Sequence, residues 1–132
     1  MKKYTVKTSA RTDFVNLDRE VAEAVREAGL QDGSAMVFIP HTTAGVTINE
    51  NADPDVLADL EKVLDRMVPW NGGYRHAEGN TAAHAKASLM GSSAQVPVVD
   101  GRPQLGTWQS VFLCEFDGPR TRHVWIQGVP AP

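Results

Sequence analysis

The last third of the chain limits the possible folds most. Residues 94–99 and 102–105 are strand-like runs separated by Asp100-Gly101, and residues 107–116 and 121–129 flank Asp117-Gly118-Pro119-Arg120. Asp-Gly between two such runs is a two-residue hairpin signal, because the tight turn needs positive φ that these residues tolerate. This third is therefore expected to be β-structure in a largely antiparallel or mixed sheet. The remaining two-thirds must supply the layer that covers it.

Three helices are expected there. Leu17, Val21, Ala24, Val25 and Ala28 recur at helical spacing, with Asn16 or Asp18 as cap and Gly29 placed to end the helix in the left-handed conformation. Asp53-Pro54 pairs an N-cap with proline at the first helical position, ahead of a stripe of Val56, Leu57, Leu60, Val63, Leu64 and Met67 that Pro69 stops. Asn80 is expected to cap a third helix from Thr81 to position 89 or 90, with Gly91 as its stop. Between them, residues 3–8 alternate as a short strand with one wet face, and residues 34–39 are an apolar run too short for a helix, ended by Pro40. Residues 41–45 then form a turn or kinked strand before strand-like Val46, Thr47 and Ile48. The order β-α-β-β-α-α-β-β-β-β implies an α+β fold, with the helices on one face of the sheet.

At 132 residues the chain fits one domain. A hydrophobic share of 42% and a charged share of 22% suit a soluble globular protein. A net charge of -3 argues against nucleic acid or an anionic membrane as the main partner, while leaving room for a local basic pocket. The single cysteine, Cys114, sits in a strand-like run and reads as an inert packing residue. No apolar stretch approaches the roughly 20 residues of a membrane span, and no signal-peptide core follows Lys2-Lys3, so the expected location is the cytoplasm. Trp108 reads as a core residue and His123 as a strand-face residue.

Two patches between His41 and His84 are dense in residues that do chemistry. His76 and His84 are eight positions apart, a spacing that matches no compact zinc signature. The long 69–79 loop can nevertheless fold His76 over the helix that presents His84, with His41 entering from a strand end. Convergence of the three would make an open metal site; the alternative is three separate, hydrogen-bonded polar residues. Glu50, between two asparagines at a strand-to-helix transition, is a candidate general base or metal ligand. Asp53 is better explained as a helix cap, and Glu78 divides between the two roles. Thr42, Thr43 and backbone donors near Gly45 have the composition of a small phosphate cradle. The helix start at Asn80 offers free N–H groups and a positive dipole end, and Arg75 and Arg120 can add charge-assisted contacts. No Walker, dinucleotide or nucleophile-elbow pattern occurs.

At these residues the chain resembles a known family. His41-Thr42-Thr43-Ala44-Gly45 to Asp53-Pro54-Asp55, His76-Ala77-Glu78-Gly79-Asn80 to His84, Gly106-Thr107-Trp108-Gln109, and Glu115 through Arg120 together resemble the YjbQ family, described as secondary thiamine-phosphate synthases. The resemblance implies an α+β fold with a large mixed, mostly antiparallel sheet, assembled as a homotrimer. It also implies a divalent metal, zinc or magnesium, held by His41, His76 and His84. The implied reaction joins a pyrimidine diphosphate to a thiazole phosphate and releases pyrophosphate. Glu50, His84 and Asn80 would form the catalytic set, orienting metal or substrate, while Thr42, Thr43, Gly45, Arg75 and Arg120 bind the phosphorylated metabolite. The contrasting reading is a non-catalytic trimer that holds a metal or phosphometabolite. The residues by themselves indicate a histidine–carboxylate site for an anion; the substrate comes from the resemblance alone.

Overall fold

The strands divide into two antiparallel sheets. The computed structural model describes residues 1–132. In chain order the elements are β1 (Lys2–Lys7), β2 (Asp13–Asn16), α1 (Asp18–Glu27), β3 (Gly33–Phe38), β4 (Ala44–Glu50), α2 (Pro54–Met67), α3 (Thr81–Met90), β5 (Ser93–Val99), β6 (Arg102–Pro103), β7 (Gln109–Glu115) and β8 (Thr121–Pro130). One sheet has the order β1-β8-β3-β5-β6 and the other β2-β7-β4. The α+β class holds, with three helices, and the strand pairings are all antiparallel.

The split has a cause in the sequence of β7. Every residue from Ser110 to Phe116 is buried, so this strand needs cover on both faces. Val111 and Leu113 face the larger core, and Cys114 with Phe116 faces a second, smaller one. β7 accordingly sits in the middle of the smaller sheet, and the turn after it carries the chain into the larger sheet rather than back along β7. The Asp100-Gly101 hairpin forms as expected, with φ of 51° and 76° and β5 paired to β6. Strand β2, only four residues long, is the one element that alternation did not reveal.

The helices do not share one face. α1 places Val21, Ala24 and Val25 in the larger core, against both sheets. α2 and α3 cover the opposite face of the smaller sheet through Leu64, Ala83 and Ala87. Each helix start is made differently. Asn16 accepts the Asp18 N–H at 2.8 Å, and the Asp18 carboxylate in turn accepts from Ser110 Oγ at 2.7 Å and from the Val111 N–H at 2.9 Å. Asp53 caps α2 by accepting the Asp55 N–H at 2.9 Å, ahead of Pro54. Asn80 occupies the cap position of α3 but makes no capping bond; its amide is used elsewhere.

Three expectations change in detail. The apolar stripe of α2 is only partly covered within the chain: Leu64 is buried and Leu60 packs beside it, but Val63 is 47% and Met67 63% exposed. Trp108 is exposed, in the turn before β7, where no layer reaches it. Gly45 is buried, where β4 meets the end of α3: a Cβ there would lie 2.7 Å from Gly91 O and 3.0 Å from Met90 Cβ. It serves close packing at that contact. Cys114 is buried as expected, and that burial pushes its thiol up to about 12, far from reactivity.

A charged group ties the two sheets together. Glu115 at the end of β7 is fully buried and takes two bonds from the buried Arg122 guanidinium of β8, one of them from Nε at 2.8 Å. Thr8 Oγ1 donates to Glu115 Oε1 at 2.8 Å, and Arg122 Nη2 donates to Thr43 Oγ1 at 2.8 Å. Burial alone would raise the Glu115 carboxyl, but the bonds from Arg122, the Asp117 N–H and Thr8 outweigh it and hold it below its ordinary 4.5. Glu115→Gln leaves a buried guanidinium uncompensated and is expected to cost about 3–5 kcal/mol in urea unfolding. The depressed carboxyl contributes stability that is full above about pH 4.5 and is lost as pH falls through its lower folded value. Urea titrations at pH 7 and pH 4 should show that acid-side loss in the parent and a smaller one in the variant.

Candidate functional site

Four segments meet at one polar pocket: the turn before β4, the end of the 69–79 loop, the start of α3 and the turn between β7 and β8. The pocket has a volume of about 440 Å³ and is lined by Pro40, His41, Thr42, Thr43, His76, Glu78, Asn80, His84, Asp117, Arg120 and Arg122. All but Pro40 carry a hydrogen-bonding side chain. Of the residues expected in the site, the structure gathers His41, Thr42, Thr43, His76, Asn80, His84 and Arg120 here.

The histidines form two pairs. His76, on the loop, and His84, one turn into α3, have ring centres 5.5 Å apart at an interplanar angle of 87°, and His76 Nε2 lies 4.0 Å from Glu78 Oε1. Two imidazoles on one tetrahedral ion have centres roughly 5 Å apart, so this spacing suits a shared cation with Glu78 nearby. His41 instead stacks on His123, with centres 5.9 Å apart, and its Nε2 accepts the His123 backbone N–H at 2.8 Å. That bond puts the His41 proton on Nδ1, so the ring presents a donor and no free lone pair. Five His, Asp and Glu side chains line the pocket, but no three of them stand as a ready metal-ligand cluster. His123, read from its strand position as lying outside the constellation, thus acts on it through its backbone.

Asp117 organises the floor. Its Oδ2 accepts from Asn80 Nδ2 at 2.8 Å and from Arg120 Nη2 at 2.9 Å, while its carbonyl accepts from Arg120 Nε at 2.7 Å. Asn80 Oδ1 is buried and has no partner in the chain, an unusual state for a buried acceptor. The α3 backbone ladder begins with Ala83 N–H to Asn80 O at 3.0 Å, and the amides before it are the free donors of a helix start. Arg122 was not among the arginines expected in the site. Its signal was its register in β8, where it alternates inward with Val124 and Ile126.

Three expected residues lie elsewhere. Glu50 ends β4 opposite Gln109, six positions beyond Ala44, which is about 20 Å along an extended strand. The regular strand that carries His41's neighbours inward also carries Glu50 away from the pocket. Arg75 is exposed on the loop and does not line the pocket, and Gly45 is committed to packing.

Fold and site together define a small two-sheet α+β protein with a histidine- and arginine-lined pocket at a helix start. The family model described as "UPF0047 protein YjbQ-like" matches residues 2–131. The chain is 49% identical to the UPF0047 protein YugU of Bacillus subtilis over 128 residues, covering 96% of this chain and 97% of that one. It is 46% identical to the UPF0047 protein MJ1081 of Methanocaldococcus jannaschii over 125 residues, covering 95% and 91%. A crystal structure of an uncharacterized conserved YjbQ/UPF0047-family protein from Clostridium acetobutylicum superposes with a TM-score of 0.96 at 51% identity, covering 98% of this chain and 100% of the other. The chain belongs to the YjbQ-like UPF0047 family.

The His41 ring is held below its ordinary 6.5, first by burial and then by the positive charges of Arg122 and His123. The unfolded chain therefore binds this proton more readily than the folded one. Stability from this residue is full above pH 6.5 and falls as pH drops from 6.5 toward the lower folded value. Melting temperatures at pH 7.5 and pH 5.5 should differ less for His41→Gln than for the parent.

Proposed function

We propose that the pocket binds a phosphorylated metabolite and that the chain is a transferase of the thiamine-phosphate synthase type. In this reading it joins a pyrimidine diphosphate to a thiazole phosphate, in a cytoplasmic homotrimer. The observation that carries the reading is the convergence of Arg120, Arg122 and the α3 helix start on one wholly polar pocket. The substrates are those implied by the motifs; the geometry supports recognition of a diphosphate.

The reaction forms a carbon–nitrogen bond and breaks a carbon–oxygen bond, whose electron pair leaves with pyrophosphate. Such a step needs charge neutralisation more than a strong base. Arg120, fixed by Asp117, and the free α3 amides receive the leaving diphosphate. His41 adds an N–H donor. Asn80 Oδ1 offers an acceptor to a substrate amino group or a bound cation. His76, His84 and Glu78 have the donor types to hold zinc, whose positive charge would add to that around the diphosphate; magnesium, which prefers oxygen ligands, fits them poorly. A second reading is a non-catalytic binding module, for which the same polar lining suffices without turnover. Exposed Val63 and Met67 on α2 and Trp108 supply apolar surface for the trimer contacts.

Pyrophosphate at millimolar concentration with a divalent cation is expected to raise the melting temperature, by mass action on the folded state. Arg120→Ala should reduce that shift and Arg75→Ala should leave it unchanged. His76→Ala and His84→Ala should each lose bound metal, measured by elemental analysis, without a large fall in melting temperature. Product formation that a chelator abolishes supports the transferase, and ligand binding with no turnover supports the binding module. Light scattering at micromolar concentration should give three times the chain mass.

A further inference from the structure

The opposite face of α3 carries a second polar cavity. Lys86 lies two positions beyond His84, about 200° further round the helix, so it points away from the histidine pocket. The residue is only 3% exposed, and its ammonium bonds the Asp65 carboxylate of α2. It lines a cavity of about 700 Å³ with Arg11, Thr12, Glu61, Asp65 and Trp70, and no residue is common to this cavity and the histidine pocket.

The charges here are arranged in a way that selects a ligand. Lys86 and Asp65 neutralise each other, yet an ammonium has three N–H donors and Asp65 takes one. The Arg11 guanidinium rests on the Trp70 ring, 4.2 Å from its centre, and makes no side-chain hydrogen bond or ion pair within the chain. An aromatic face thus holds it in position while its donors stay free. Glu61, on the α2 side, has no cationic partner either. One unpaired charge of each sign therefore faces the cavity across a paired Lys86–Asp65. A simple anion is repelled by Glu61 and Asp65, and a simple cation by Arg11 and Lys86. A small molecule that carries both signs on adjacent atoms satisfies every group.

We propose that this cavity binds a small zwitterion of the α-amino-acid type. Its carboxylate lies on Arg11 and the free Lys86 donors, and its ammonium on Glu61. The remaining volume receives the side chain.

Three probes test this by ¹⁵N NMR of the full chain, followed at the Trp70 indole N–H: L-alanine, propionate, which lacks the ammonium, and ethylamine, which lacks the carboxylate. Trp70→Phe assigns the signal. L-Alanine is expected to give a saturating shift in the millimolar range, and each one-ended analogue should bind at least about tenfold more weakly, because each leaves a charged partner unmatched. Arg11→Ala and Lys86→Met should each weaken L-alanine at least about tenfold, and Glu61→Gln should weaken L-alanine while leaving propionate no weaker. Arg11 is an exposed residue, so its variant reports binding even if Lys86→Met unfolds. No saturating shift up to about 50 mM L-alanine overturns the proposal. So does equal affinity for propionate or ethylamine, or an Arg11→Ala protein that binds L-alanine normally.

Discussion

The ion pair between Glu115 and Arg122 is the contact on which the architecture depends. It joins the last residue of β7, in the smaller sheet, to the second residue of β8, in the larger one. Thr8, which follows β1, and Thr43, which precedes β4, complete its hydrogen bonding. Two desolvated charges are costly, and the cost is recovered only while every partner stays in place. The pair thus pins the two sheets together beside the histidine pocket. Arg122 has a part in both: one edge of its guanidinium is spent on Glu115 and Thr43, and the residue also lines the pocket. The positive charge beside His41 is therefore a by-product of the joint between the sheets.

Much of the fold was legible because local rules and tertiary structure agreed. Asp53-Pro54, Gly29 at φ 63° and Asp100-Gly101 each encode a backbone conformation in one or two residues, and each appears where expected. The division into two sheets was not legible from the turn at Asp117-Gly118-Pro119-Arg120. A turn signal says that the chain reverses; it does not say which strand it then joins. The clue lay in β7, whose unbroken burial calls for cover on two sides, whereas β8 alternates. The stripe on α2 misled for a related reason. Helical periodicity marks the face that wants cover, and only Leu64, with Leu60 packed beside it, finds it in the smaller core.

The site was legible in its residue types and partly in its grouping. His41, His76 and His84 do line one pocket, but they divide by what each ring nitrogen has to do. His41 is committed by a backbone N–H from β8, a contact between residues 82 positions apart that no spacing rule reports. Glu50 was singled out for its neighbours in sequence, and an extended strand separates such neighbours by distance. Arg122 was overlooked because a charged residue on an inward strand face reads as an exception to alternation. Such exceptions mark either a structural pair or a site, and here the residue serves in both.

The helix between the two cavities is clamped at both ends. At its start Asn80 is tied to Asp117, and at its finish β4 comes so close that a methyl group on Gly45 would collide with the Gly91 carbonyl. Two binding surfaces carried on one rigid rod can communicate only if the rod moves, since coupling between sites requires a second arrangement that both ligands bias. Both clamps oppose such movement. Ligands taken up at the two proposed sites are therefore expected to bind without affecting each other, although a single helix carries both.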